Sequence, residues 1–179
     1  MGDTTSDLLP VLTSDLVDDF QAHPERALTA AGDADPAAAM ALPWYLDTTL
    51  GSGSPGALPV ALASLGAQRT PASSLFWQNE PDFLDVLRGV LKTKTPPVPL
   101  ADFWLDFAVA RVFIGARDDG FHFPGTAFLG NYGRVRFDWS IDAGSLPRRL
   151  SPERPIDPTG STYLWLDLRG APADLRLAF

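Results

Sequence analysis

The hydrophobic period of this chain changes once, beyond Gly120, and that change limits the folds open to it. Upstream, apolar residues recur at helical spacing. Downstream, "RVRFDWSI" at 134–141 alternates, with Val135, Phe137, Trp139 and Ile141 on one face and Arg134, Arg136, Asp138 and Ser140 on the other. That alternation predicts a half-buried strand. Helices first and strands afterwards read as an α+β fold.

The helical part is expected over residues 13–118, as a bundle of about five helices behind an extended or disordered lead-in at 1–12. "TSDLVDDF" offers Thr13 or Ser14 as N-cap for a first helix ending before Pro24. Asp35 and Pro36 open a second, which Pro43 must kink or end because proline removes an amide donor. Ser54 and Pro55 open a third, with Leu58, Leu62 and Leu65 as its apolar stripe. In "NEPDFLDVLRGVLKT", Asn79 is the expected cap, Glu80 and Asp82 suit the positive end of the macrodipole, and Phe83, Leu84, Leu87, Val90 and Leu91 line one face. Residues 100–114 make a fifth helix whose large apolar side chains surround it, as befits the middle of a bundle.

The β part is expected over 119–179, as a small antiparallel segment resembling the start of a β-sandwich. "DPTG" at 157–160 has type I turn composition. "STYLWLDL" and "DLRLAF" should pair as a hairpin that either leans on the helices or begins a larger sandwich. The alternation runs to Phe179 without a closing turn, so the chain reads as cut there.

The charge balance narrows the partners. Residues 1–50 hold nine carboxylates and Arg26 alone, while the remainder holds thirteen groups of each sign. The whole net charge of −8 thus lies in the first 50 residues. Such a chain repels phosphate backbones and anionic lipid, so neither nucleic acid nor membrane is an expected partner. The chain has no cysteine, which removes thiolate chemistry but leaves the compartment open. The N-terminus has no apolar signal region, and no stretch reaches transmembrane length.

Few residues offer chemistry. Asp102 and Asp106 stand four apart on one helical face and could present two carboxylates to a metal; equally, they mark the solvent side of a helix N-terminus. Asp118 and Asp119 before Gly120 could hold a cation, but the spaced oxygen ligands of an EF-hand loop are missing, and a turn explains them as well. His122, between Phe121 and Phe123, could be a ligand or general base in a pocket, or a packed residue with one satisfied nitrogen. There is no G-x-S-x-G elbow, no phosphate-cradling glycine loop, and no complete metal or catalytic set. A further possibility is an aromatic surface built from Trp104, Trp139, Tyr163 and Trp165.

"WYLDTTLGSGSPGALPVALASLGAQRTP", "NEPDFLDVLRGVL", "FWLDFAVARVFIGARDDGFHFP" and "SLPRR…IDPTGSTYLWLDL" together resemble the C-terminal part of large exported bacterial zinc metallopeptidases. The resemblance covers residues 13–179 and rests on the order of aromatic and glycine landmarks. It implies a helical subdomain downstream of a zinc helix, with a β-sandwich beyond. The H-E-x-x-H helix that supplies zinc ligands and general base in such enzymes is absent here, so no catalytic residue carries over. The implied role is a non-catalytic cleft wall or support, with zinc only if an upstream segment supplies it. The rest of a larger peptidase chain or another protein is then the partner. The alternative is a stand-alone aromatic-lined module that binds a ligand or a protein, and a third reading is a metal enzyme using His122 with Asp118 or Asp119.

Overall fold

The computed structural model describes residues 15–27, 36–51, 56–66, 71–73, 76–77 and 81–170. Its five helices are α1 (Asp15–Ala22), α2 (Pro36–Leu50), α3 (Ala57–Gly66), α4 (Phe83–Lys92) and α5 (Leu100–Arg111). A short antiparallel pair, β1 (Pro71–Ser73) and β2 (Phe76–Trp77), lies between α3 and α4. Two further strands, β3 (Trp139–Asp142) and β4 (Leu164–Asp167), follow the helices. The fold is therefore α+β and mostly helical. The expected lead-in at 1–12, the caps Thr13, Ser14, Asp35 and Ser54, and the strand "DLRLAF" lie outside the described residues, and the cap of α4 is Asp82 rather than the expected Asn79.

Each helix contributes to one core. Val17 and Phe20 of α1, Leu42, Tyr45 and Leu46 of α2, Leu62 of α3, Val86, Leu87 and Leu91 of α4, and Phe103 and Phe107 of α5 are all buried together. Leu87 and Leu91 are fully enclosed, and a side chain of that size gains roughly 1.5–3 kcal/mol from such burial. α4 starts where Asp82 Oδ1 accepts from the amide of Asp85 at 2.9 Å, which satisfies one of the orphan donors of the first turn. At its other end Lys94 Nζ donates to Leu50 O at 2.6 Å, joining the ends of α4 and α2.

Of the two effects expected of Pro43, ending the helix is excluded: α2 runs on to Leu50 with the proline inside it, and one forgone backbone bond is outweighed by the burial of Tyr45 and Leu46 just beyond it. Two other local expectations are corrected. α5 is not buried all round. It buries Phe103, Phe107 and Ala110, while Leu105 is 64% exposed and Val109 40%, so it lies at the side of the helical layer. The "DPTG" turn closes with Gly160 N donating to Asp157 O at 2.9 Å, but Thr159 has φ +68°, the sign of a type II rather than a type I turn.

The β segment also differs. β3 and β4 are parallel, with Trp139 opposite Leu164 and Ile141 opposite Leu166, not antiparallel as expected. Parallel strands need a long crossover, and residues 143–163 supply it. This crossover returns past the end of α1, where Asp157 N donates to Glu25 O at 2.9 Å and Ser161 N to Pro24 O at 2.7 Å. The start of the alternating run stays outside the ladder because its amide goes elsewhere: Arg136 N donates to Gln21 O at 2.9 Å, and pairing toward β4 begins only with Asp138 N, which donates to Tyr163 O at 2.9 Å. The predicted faces hold at the two ends of the run, where Val135 and Ile141 are buried and Arg134 and Ser140 exposed, but not between them: Asp138, expected on the outer face, has a side chain only 3% exposed.

Candidate functional site

Three of the predicted site residues meet in the loop that follows α5. Gly115 turns the chain with φ +68°, and a Cβ there would lie 2.5 Å from Gly130 O, so only glycine allows the two arms of the loop to approach so closely. Between those arms, Asp118 Oδ2 accepts from the amides of Thr126 and Ala127 at 2.8 and 2.9 Å, and its Oδ1 accepts from Gly120 N at 2.8 Å. Burial works against that charge, but these amides outweigh it and hold the carboxyl below its ordinary range.

Asp119 is engaged in the same way. Its Oδ1 accepts from the amides of His122 and Phe121, both at 3.0 Å, and its Oδ2 lies 2.6 Å from His122 Nδ1. The His122 amide, followed by that of Phe121 and the imidazole, draws its pKa down to about 2. His122 stacks on Phe113, with centroids 4.1 Å apart and an interplanar angle of 11°. It is packed on one face and held at one nitrogen, while its side chain is 44% exposed.

The remaining candidates are not drawn to this loop. Asp102 and Asp106 stand on the exposed side of α5. Burial, joined by the charge of Asp106, pushes the Tyr45 hydroxyl up to about 12. Trp104 is half-buried, with edge contacts to Phe103 and Phe107 at 5.1 and 6.3 Å.

Two polar networks were missed by the sequence reading. In the first, Gln21 is 0% exposed and Arg111 1%. Gln21 Nε2 donates to Arg111 O and Gly133 O at 2.9 and 2.8 Å, and its Oε1 accepts from Arg111 Nε at 2.9 Å. Arg111 Nη2 donates to Phe20 O at 2.8 Å, and the guanidinium covers the Phe20 ring at 3.9 Å. The available signal was a single cation inside the apolar run "FAVARVFIG", since a buried charge must be paired.

In the second network Glu25 lies at the end of α1, where Arg154 Nη1 donates to its Oε1 at 2.8 Å and Arg136 Nη2 to its Oε2 at 3.2 Å. Arg136 also reaches Asp138 Oδ1 at 2.7 Å, and Thr162 donates to Asp138 Oδ2. Burial would raise the Glu25 pKa, but the hydrogen bonds from Arg154, its own backbone and His23, with the charge of Arg136, bring it down to about 2.

The aromatic residues divide. Tyr163 is buried, and its hydroxyl donates to Ala108 O at 2.8 Å. Trp165 is 48% exposed and meets Phe137 edge-on at 5.6 Å. The Arg117 guanidinium lies 5.1 Å from the Phe137 centroid and 5.5 Å from that of Trp165, close enough for cation–π attraction. Leu164 and Leu168 are exposed nearby in sequence, and Phe121, Phe128 and Tyr132 are exposed on the loop after α5.

Among the described residues no group of three or more histidine, aspartate or glutamate side chains is placed to hold a metal ion. No helix among them is long and apolar enough to cross a membrane. Compared with known proteins, the chain matches no family model, no curated protein and no solved structure.

Proposed function

We propose that this chain is a non-catalytic, metallopeptidase-related domain that contacts a partner, either the rest of a larger peptidase chain or another protein. The observation that supports this reading best is the state of its carboxylates. Asp118 and Asp119, the acids nearest to His122, already accept hydrogen bonds from the backbone that shapes their own loop, so neither is poised for proton transfer. The purified chain, incubated with casein with and without EDTA, is expected to give no cleavage. Metal-dependent proteolysis that survives repurification would overturn the proposal.

A second reading, a stand-alone aromatic-lined binding module, is favoured by the Arg117–Phe137–Trp165 arrangement. An exposed indole braced by a cation and an edge-on ring is a rigid apolar platform with a polar rim. A screen of saccharides and aromatic carboxylates by tryptophan fluorescence tests it, with Trp165→Ala as the comparison. A response retained in that variant excludes the platform.

A further inference from the structure

β3 and β4 form a parallel pair with no third strand among the described residues. Such a pair is an unusual end state. Parallel sheets are ordinarily covered by helices on both faces, and two strands by themselves are marginal in water. Here β4 is the uncovered member: Leu164, Trp165 and Leu168 are all exposed, and since successive side chains of a strand point to opposite faces, β4 meets water on both.

Its backbone is open as well. Tyr163 O accepts from Asp138 N, so the residue before β4 turns its polar groups toward β3. Backbone groups alternate in direction along a strand, which sends those of Trp165 and Asp167 toward β3 and those of Leu164, Leu166 and Leu168 to the free edge. Natural edges are guarded by charge, proline or a bulge. The ladder of β4 runs from Leu164 to Asp167 without a bulge, and its one charged residue, Asp167, is neutralised by Arg169, whose Nε lies 3.0 and 2.9 Å from the two carboxylate oxygens.

The edge is also complementary to itself. When two copies of "LWLDL", residues 164–168, run antiparallel about a two-fold axis at Leu166, Leu166 faces Leu166, Leu164 faces Leu168, and Trp165 faces Asp167. The outward backbone groups of the three leucines then meet as hydrogen-bonded pairs, and the leucines of both copies become apolar cross-strand neighbours on one face. Arg169 cancels the charge of Asp167, so no unpaired charge is brought against the indole.

We propose that a second copy of this chain docks on the free edge of β4, joining the two pairs into one sheet in the order β3, β4, β4, β3. The contact is isologous, each copy offering the same edge, and it closes at two. It stands whether or not the chain also contacts a peptidase. One strand from each copy is a small contact, below the roughly 1,200 Å² at which stable complexes begin, so the dimer comes apart on dilution.

Sedimentation velocity of the purified full chain over a wide range of concentration tests this, at about 0.15 M salt to screen the net charge of −8 on each copy. A species of twice the mass of one chain is expected at the top of the range and the monomer at the bottom. Leu164 and Leu168 are exposed and face each other across the contact, so changes there leave the core alone. Leu164→Lys with Leu168→Lys sets like charges opposite each other and should abolish the dimer. Leu164→Glu with Leu168→Lys sets opposite charges there and should restore it, which a contact elsewhere would not do. Amide exchange at Leu166 reads the same contact without any variant: its protection should rise as the unsubstituted chain is concentrated. A chain that stays monomeric at every concentration, with the edge free or filled by its own residues 174–179, overturns the proposal. So does a dimer that survives the double-lysine change, growth beyond two copies, or protection at Leu166 that ignores concentration.

Discussion

Replacing Gln21 by leucine tests how much this amide contributes to holding the buried Arg111 at the end of α5. Leucine keeps the apolar bulk but removes the two bonds from Nε2, to Arg111 O and Gly133 O, and the acceptor for Arg111 Nε. The two neutral bonds contribute about 1 kcal/mol each and the charged one about 1.5–3 kcal/mol, for a loss of about 3–5 kcal/mol. For a chain of this size it corresponds to a fall in Tm of about 6–20 °C. Urea unfolding followed by tryptophan fluorescence gives the difference directly, provided that the slope with denaturant is unchanged. Gln21→Glu separates charge from geometry: it keeps an acceptor for Arg111 but turns an oxygen toward two carbonyls, and it should also be destabilised. A leucine variant within about 1 kcal/mol of wild type, or a glutamate variant as stable as wild type, would refute the reasoning.

Gly133→Ala should cost about 2–4 kcal/mol, because φ is +73° and the new Cβ would lie 2.7 Å from Val17 Cγ1. Calorimetry of this variant and of Gly133→Ala with Val17→Ala should show less than additive losses, since the second change removes the clash. Asp118→Ala should destabilise by about 1–3 kcal/mol and speed amide exchange at Gly120, Thr126 and Ala127. Unchanged protection at those amides would contradict the assigned role. Glu25 has its pKa depressed in the fold, so its contribution is fully present above about 4.5 and is lost as pH falls toward about 2. Acid unfolding followed by circular dichroism should thus be shallower in Glu25→Gln over that interval, and an identical slope would remove Glu25 as a source of acid sensitivity.

The helices were legible because each carries its own signals. α4 shows them best: its apolar spacing placed Leu87 and Leu91 on the buried side and Lys92 in the last turn, although the cap is Asp82 and not the expected Asn79. What local pattern could not show is where a backbone amide finds its partner. "RVRFDWSI" alternates as a strand should, yet Arg136 N goes to the end of α1 and the ladder begins at Trp139. Strand direction depends likewise on how residues 143–163 are routed, and that route is set by Pro24 and Glu25, more than 100 positions earlier. Asp118, Asp119 and His122 were recognisable as a cluster because they are neighbours in sequence. The Gln21–Arg111 and Glu25–Arg154 pairs were not, because glutamine and glutamate beside a helix end look like solvent-facing residues until the rest of the chain closes over them.

The bonds of Gln21 carry a consequence for synthesis. Its partners Arg111 and Gly133 follow it by 90 and 112 positions. At a ribosomal rate of about 5–20 residues per second, α1 emerges roughly 5–20 seconds before the last of them is made. A helix of eight residues does not persist alone in water for want of tertiary support. Helix α1 therefore becomes structured only after the residues that hold its glutamine have been made, later than its place ahead of α2 to α5 in the chain would suggest.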